Sequence, residues 1–139
     1  MLTELTISQA LASTAIDAMA GAATGQGKAA VFCVVDHRGE LVALLRQDHA
    51  SRVSIQVSQN KAFTAARLLA PSRVVGESAD YDLANLADPR MTFFGGGMPI
   101  LHEGACVGAI GVSGLTNEED EELAVIGLAA IEAALAAAA

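Results

Sequence analysis

Two pairs of apolar segments constrain the fold most strongly, because a short turn joins the members of each pair. In the first pair, AVFCVVD (30–36) and ELVALLR (40–46) flank a turn that contains glycine. In the second, MPILH (98–102) and ACVGAIGVS (105–113) flank Glu103-Gly104, which suits a tight two-residue turn. Strands that are joined by such short turns pair antiparallel. The sequence therefore predicts two β-hairpins.

Helical patterns surround these hairpins. The capping-box sequence Thr6-Ile7-Ser8-Gln9 opens a first predicted helix, and a second runs from Ser51 to about Leu69, where Pro71 ends it. A second capping box, Thr116-Asn117-Glu118-Glu119, opens the last helix. These patterns place one helix before the first hairpin, one between the hairpins and one after the second.

The segment between the second helix and the second hairpin is less regular. Residues 72–90 are polar and predict a loop with one or two helical turns, including LANLA (83–87), whereas MTFF (91–94) predicts a short strand. The strands then number five. The chain is therefore predicted to be one α+β domain, residues 1–139, with a five-stranded antiparallel sheet flanked by helices.

The charge and the apolar pattern limit the partners and the location. The formal net charge of −8 argues against nucleic acid and against anionic membrane surfaces. No apolar run reaches the roughly 18–20 residues that span a bilayer, and the N-terminus does not read as a signal peptide. Cys33 and Cys106 lie far apart in apolar stretches, which favours buried free thiols. We therefore expect a cytoplasmic protein.

Two stretches offer charged groups for a site. Arg46-Gln47-Asp48-His49 stands between a strand end and a helix start, where Arg46 suits a carboxylate or phosphate. The alternative is a surface ion pair between Arg46 and Asp48. Lys61 lies among small and apolar residues, so it points either into a cavity or, with its aliphatic stem buried, to solvent.

Two further stretches offer polar backbone or hydroxyl groups. Gly95, Gly96 and Gly97 interrupt a predicted strand, and their N–H groups suit an anion-binding nest; a flexible loop is the alternative. Ser113 ends another strand, as a donor to a ligand or as a plain strand-end hydroxyl. The spacing of His37, His49 and His102 does not predict a zinc site, but a single histidine can ligate haem iron.

Five stretches form a specific combination. They are VVDHRGELVALLRQDHA (34–50), SQNKAFTAA (58–66), GGGMPI (95–100), EGACVGAIGVSG (103–114) and EEDEELAVIGLAAI (118–131). Together they resemble the GlcG/HbpS-like family, which includes the C-terminal domain of PduO-type proteins. The positions that carry the resemblance are Asp36, Gly39, Arg46, Asp48, Lys61, Gly96, Gly97, Pro99, Gly108, Gly111, Ser113 and Gly114.

The resemblance implies a profilin-like fold with helices on both faces of a five-stranded sheet, homo-oligomers, and haem as the candidate cofactor. Many members of the family sit beside genes for the catabolism of small acids or aromatic compounds. This chain departs from the relatives at one stretch, where R-M-D-G-A is common and Arg46-Gln47-Asp48-His49-Ala50 stands here. A histidine thus replaces a glycine at the predicted pocket rim.

Three hypotheses follow for the function. The first is a haem-binding domain. The second is a lyase, hydratase or isomerase that holds an organic acid with Arg46, Lys61, Ser113 and the Gly95–Gly97 amides, while Lys61, Asp48 or His49 exchanges protons. The third is a non-catalytic oligomeric scaffold. In the first two, one pocket surrounded by Arg46, Lys61, Ser113 and the glycines binds a small molecule.

Overall fold

The computed structural model describes residues 1–78 and 88–139. Its elements are α1 (Gln9–Gly25), β1 (Val31–Asp36), β2 (Leu41–Arg46), α2 (Ser54–Leu68), α3 (Ser72–Ser78), β3 (Gly97–His102), β4 (Ala105–Ser113) and α4 (Asn117–Ala138). Both predicted hairpins are present, as β1–β2 and β3–β4. The strand order is β2-β1-β4-β3, and every neighbouring pair is antiparallel.

Helices cover both faces of this sheet. On one face Cys33, Val35 and Ala109 pack against the alanines of α2. On the other face the core joins the sheet to α1 and α4 and includes Phe32 and Ile110. Alternate residues of a strand point to opposite faces, so each strand contributes to both layers of core.

Small side chains bring α2 unusually close to the sheet. A Cβ atom added at Gly111 would lie 1.9 Å from the backbone oxygen of Ser58 on α2. A Cβ atom added at Gly108 would instead meet the neighbouring strand, 2.5 Å from the oxygen of Val35 on β1. These contacts show that neighbouring backbone approaches both strand glycines closely. Gly111 is needed because the helix backbone occupies the place of its side chain.

The prediction of a fifth strand at MTFF is wrong. Within the described residues the sheet has four strands, and residues 91–94 are not extended against any of them. The amide of Thr92 donates to Thr64 Oγ1 of α2 at 2.9 Å, and that of Gly95 donates to Asn117 Oδ1 of α4 at 3.1 Å. Side chains of α2 and α4 thus accept the hydrogen bonds that these amides would donate to a neighbouring strand in a sheet. The profilin-like arrangement stays a prediction.

Two other sequence predictions need adjustment. The first helix begins at Gln9 with Ser8 as its N-cap, whereas Thr6 Oγ1 accepts a hydrogen bond from the amide of His37. The segment predicted as a loop opens with helix α3, and LANLA (83–87) lies outside the described residues. The capping box at Thr116 is confirmed in full.

Three smaller observations complete the fold. Both thiols are free, and burial raises the pKa of Cys33 to about 12, so this thiol is not a nucleophile at neutral pH. Cys106 is half-buried, not fully buried as predicted. Among the described residues, no helix combines the length and the apolar character needed to cross a membrane.

Candidate functional site

An open groove lies where the end of β2 meets the start of α2 and the C-terminal end of α1. We call it the basic groove. It is lined by Thr24, Gly27, Lys28, Ala29, Leu45, Arg46, Gln47, Asp48 and His49 and continues along Ala50 and Arg52. Its first part encloses about 630 Å³. Three basic residues and one acidic residue line it, in a chain whose net charge is −8.

Arg46 and Arg52 differ from every other basic residue of the chain. The partners of the other six are Glu119 for Lys28, Glu4 for Arg38, Asp120 for Lys61, the Arg38 carbonyl for Arg67, Glu77 and Glu121 for Arg73, and Asp88 and Glu40 for Arg90. In the described part of the chain, Arg46 and Arg52 have no ion pair or hydrogen bond from their guanidinium groups. The alternative interpretation, an ion pair between Arg46 and Asp48, is therefore wrong for the described residues.

A tight turn carries His49 at the rim of the groove. The amide of Ala50 donates to the carbonyl of Gln47 at 3.1 Å and closes the turn. His49 is its third residue and has a φ of 71°, in the left-handed region that favours glycine. The turn therefore favours glycine at this position, and the histidine is held against a backbone preference.

Gln47 fixes the position of this turn, a role that its polar character alone did not reveal. Its side-chain oxygen accepts from the amide of Ala30 at 3.0 Å. Its side-chain nitrogen donates to the carbonyl of Ala20 at 3.2 Å and to Thr24 Oγ1 at 3.1 Å. These bonds tie the end of β2 to α1 and to the start of β1, so the groove rests on rigid elements.

Lys61 lies in a different place, inside the protein. Its side chain is 3% exposed, and Nζ donates to Asp120 Oδ2 at 3.0 Å and to the carbonyl of Val112 at 2.9 Å. The solvent-facing alternative is therefore wrong. Burial raises the pKa of the Asp120 carboxyl, while the Lys61 ammonium and the amide of Leu115 act in the opposite direction. This pair joins α2, β4 and α4.

The glycine run packs around this pair. Gly95, Gly96 and Gly97 are all buried, and Gly96 has a φ of 123°. The amide of Gly97 donates to Ser72 Oγ at 2.9 Å, and the carbonyl of Gly96 accepts from the amide of Val112 at 3.0 Å. A Cβ atom at Gly97 would lie 2.3 Å from the carbonyl oxygen of Lys61. These contacts define the interior cluster: Lys61, Ser72, Asp120 and the backbone of Gly95–Gly97.

Ser113 lies between the two sites. It pairs with Val31, which pairs in turn with Arg46, so the three residues form one row across β4, β1 and β2. Adjacent strands are about 4.8 Å apart, which places Arg46 and Ser113 about 10 Å from each other. Ser113 is buried, whereas Arg46 is exposed. The structure therefore does not place them side by side.

The predicted site residues thus separate into two groups. Arg46, Asp48 and His49 meet at the basic groove, and Lys61 meets the glycines in the interior cluster. Sequence reasoning missed Arg52 and Lys28 as groove residues, since neither stands in a motif. The one sequence signal for Arg52 is that it closely follows another arginine, Arg46, in an acidic chain.

Comparison with known proteins identifies the family. The family model described as "Haem degrading protein HbpS-like" matches residues 7–129. The chain belongs to the HbpS-like family. One relative, Protein GlcG of Escherichia coli K12, is 33% identical to this chain over 114 residues, which are 81% of this chain and 85% of GlcG. The resemblance to the GlcG/HbpS-like family is confirmed.

Solved structures of similar proteins agree with the fold. The Klebsiella pneumoniae protein ORFY has a TM-score of 0.91 and 33% identity, over 96% of this chain and 95% of that one. A complex of PduOC with haem has a TM-score of 0.84 at 24% identity, over 91% of this chain and 95% of that one. At that identity the second likeness shows the fold alone.

Proposed function

We propose that this chain is a haem-binding domain that holds the propionates of haem in the basic groove. The observation that carries the proposal is that two arginines, Arg46 and Arg52, line one groove of an acidic protein and have no partner among the described residues. Haem carries two carboxylates, and arginine is the side chain best suited to grip a carboxylate. The membership of a family described as haem-degrading supports haem over other anions.

The residues of the groove fit such a ligand. Leu45, Ala29 and Ala50 offer apolar surface, and Arg46 and Arg52 offer charge. Among the described residues no cluster of three His, Cys, Asp or Glu is placed to hold a bare metal ion. Haem would bring its own iron in the porphyrin, so the protein would supply anchors for the carboxylates and at most one ligand for the iron. When bound, haem supplies redox or oxygen chemistry that the side chains themselves do not have.

The alternative of an enzyme acting on a small organic acid uses the same arginines, but not the same catalyst. Lys61 was predicted as a proton-exchanging group beside them, and its ammonium is held by Asp120 and the carbonyl of Val112 in the interior. Asp48 and His49 stay candidates for that role, since both line the groove. Reaction type and homo-oligomeric assembly remain predictions, and light scattering tests the latter.

The test is a titration of the purified protein with metal-free protoporphyrin IX and with hemin. A charge-assisted hydrogen bond contributes about 1.5–3 kcal/mol, so removing both guanidiniums is expected to weaken binding by at least about tenfold. The variant is Arg46→Gln with Arg52→Gln. Its control is Arg38→Gln with Arg73→Gln, which removes the same charge from another part of the surface.

Saturable binding that the groove variant loses and the control variant keeps is the expected result. Equal affinity in the two double variants would show that the charge acts only at long range, and would reject the groove. If the wild-type protein binds neither pigment, the haem proposal is wrong, and a screen of small carboxylates on the same variants then tests the second hypothesis.

A further inference from the structure

The three histidines of the chain have different surroundings. His37 Nε2 lies 2.7 Å from Glu4 Oε2, and its Nδ1 is buried without a partner. His102 Nε2 lies 3.8 Å from Glu103 Oε1. Within the described residues, His49 has neither a hydrogen bond nor an ion pair from its ring, and it lines both parts of the basic groove. Its imidazole is therefore the one that is open to a ligand in the groove.

The backbone of His49 carries a cost that packing does not explain. Its φ of 71° lies in the region where the Cβ atom of an L residue crowds the following carbonyl. The side chain is exposed, so no core contact compensates for this strain. Strained residues of this kind cluster at ligand-binding sites, and an observed outlier justifies a hypothesis of function.

His49 lies close in sequence to the two arginines that have no partner within the described part of the chain. Arg46 precedes it by three residues and Arg52 follows it by three, and all three line the same part of the groove. The arginines suit the carboxylates of a porphyrin, and a neutral imidazole is a common ligand of iron. One molecule, haem, carries both kinds of group.

We infer that His49 is the side chain that would ligate the iron of haem bound in the basic groove. This inference rests on the proposed function. It assigns separate roles: Arg46 and Arg52 hold the carboxylates, and His49 selects iron porphyrin over the metal-free pigment. The two roles can be separated by experiment, because metal-free protoporphyrin IX has the carboxylates and no iron.

The test compares His49→Asn with His102→Ala. Asparagine tolerates the left-handed backbone better than other side chains, so the turn is kept while the imidazole is lost. His102→Ala removes a different imidazole that is partly exposed. Each protein is titrated with hemin and with protoporphyrin IX, and the Soret and visible bands are recorded with and without free imidazole in solution.

We expect His49→Asn to shift the hemin Soret band, to weaken hemin binding by about tenfold or more, and to recover the wild-type spectrum when imidazole is added. Its affinity for protoporphyrin IX should stay within about twofold of the wild type, and His102→Ala should match the wild type with both pigments. That pattern supports His49 as the ligand.

Two other patterns overturn the inference in distinguishable ways. If protoporphyrin IX and hemin bind and the hemin spectrum of His49→Asn equals that of the wild type, the iron ligand is another group while the arginine groove stands. A loss of the wild-type spectrum in His102→Ala instead would name His102. If the wild-type protein binds neither pigment, the inference fails together with the proposed function.

Discussion

The basic groove and the interior cluster both place positive charge beside α2, but they treat it in opposite ways. In the interior cluster the charge of Lys61 is buried and neutralised by Asp120 at 3.0 Å. In the groove, Arg46 and Arg52 are exposed and have no partner among the described residues. A buried charge without a partner is costly, so the ammonium of Lys61 needs its pairing with Asp120. An exposed guanidinium is solvated by water, so it can stay unpaired until a ligand binds.

This contrast changes the interpretation of the glycine run. Three adjacent glycines in the sequence suggested backbone amides that face an anion. In the structure, the amides of Gly95 and Gly97 already donate to Asn117 and Ser72. The glycines are required because neighbouring backbone approaches closely, as the 2.3 Å between a Cβ at Gly97 and the Lys61 oxygen indicates. Their role as ligand donors stays a prediction.

The largest expected effect comes from breaking the interior pair. Lys61→Met should lower the free energy of unfolding by about 3–5 kcal/mol, because it leaves the carboxylate of Asp120 buried without its cation. Denaturant unfolding measures this change. Adding Asp120→Asn to Lys61→Met should recover part of the loss, and a double variant that is no more stable than Lys61→Met would show that the cost comes from lost packing.

The same variant has a predicted pH dependence. Burial raises the pKa of Asp120, and in Lys61→Met the opposing ammonium is gone. A native pKa above the unfolded value of about 3.9 means that the native state binds more protons, so stability falls as the pH rises through this window. The deficit of Lys61→Met should therefore be smaller at pH 4 than at pH 7. Equal deficits at the two pH values would contradict the buried-charge explanation.

The second effect tests whether α2 rests directly on the sheet beneath the interior cluster. Gly111→Ala should lower the free energy of unfolding by about 3 kcal/mol, because the new Cβ would overlap the Ser58 oxygen and α2 would have to move. Gly21→Ala is the control, since a Cβ at Gly21 in α1 meets nothing within 4 Å. It should gain about 0.5–1 kcal/mol by helix propensity. Thermal and denaturant unfolding of both variants decide the comparison.

The third effect concerns the strain at the groove. His49→Gly removes a left-handed penalty of about 1–2 kcal/mol and adds a glycine entropy cost of about 0.5–1 kcal/mol. The net result should be a gain of about 0–1.5 kcal/mol in the free energy of unfolding of the ligand-free protein. His102→Gly lacks this relief, because His102 has no positive φ. A loss of stability in His49→Gly would show that the imidazole makes a stabilising contact.

The smallest effect is expected at the arginines. Arg46→Gln with Arg52→Gln should change the free energy of unfolding of the ligand-free protein by no more than about 0.5 kcal/mol, since neither side chain has a partner to lose among the described residues. A change above about 1 kcal/mol in denaturant unfolding would mean that these charges stabilise the fold, and the contrast between groove and interior would weaken.

Several elements could be predicted because local patterns determine them. The hairpins around residues 36–40 and 102–105 and the cap at Thr116 follow from residues that are near in sequence. The fifth strand could not, because the donors of residues 92 and 95 are satisfied by Thr64 and Asn117, which are 28 and 22 residues away.

The sequence by itself determined the α+β class, the two hairpins and the stretches that carry the family resemblance, because periodicity, turns and motifs are local properties. Only the tertiary structure decided which of the polar residues share a site. The order β2-β1-β4-β3 puts β1 between Arg46 and β4, the strand that Lys61 contacts. The two cations predicted for one pocket therefore lie in two different places, the basic groove and the interior cluster. Strand order depends on long-range pairing, and the spacing of residues along the chain does not encode it.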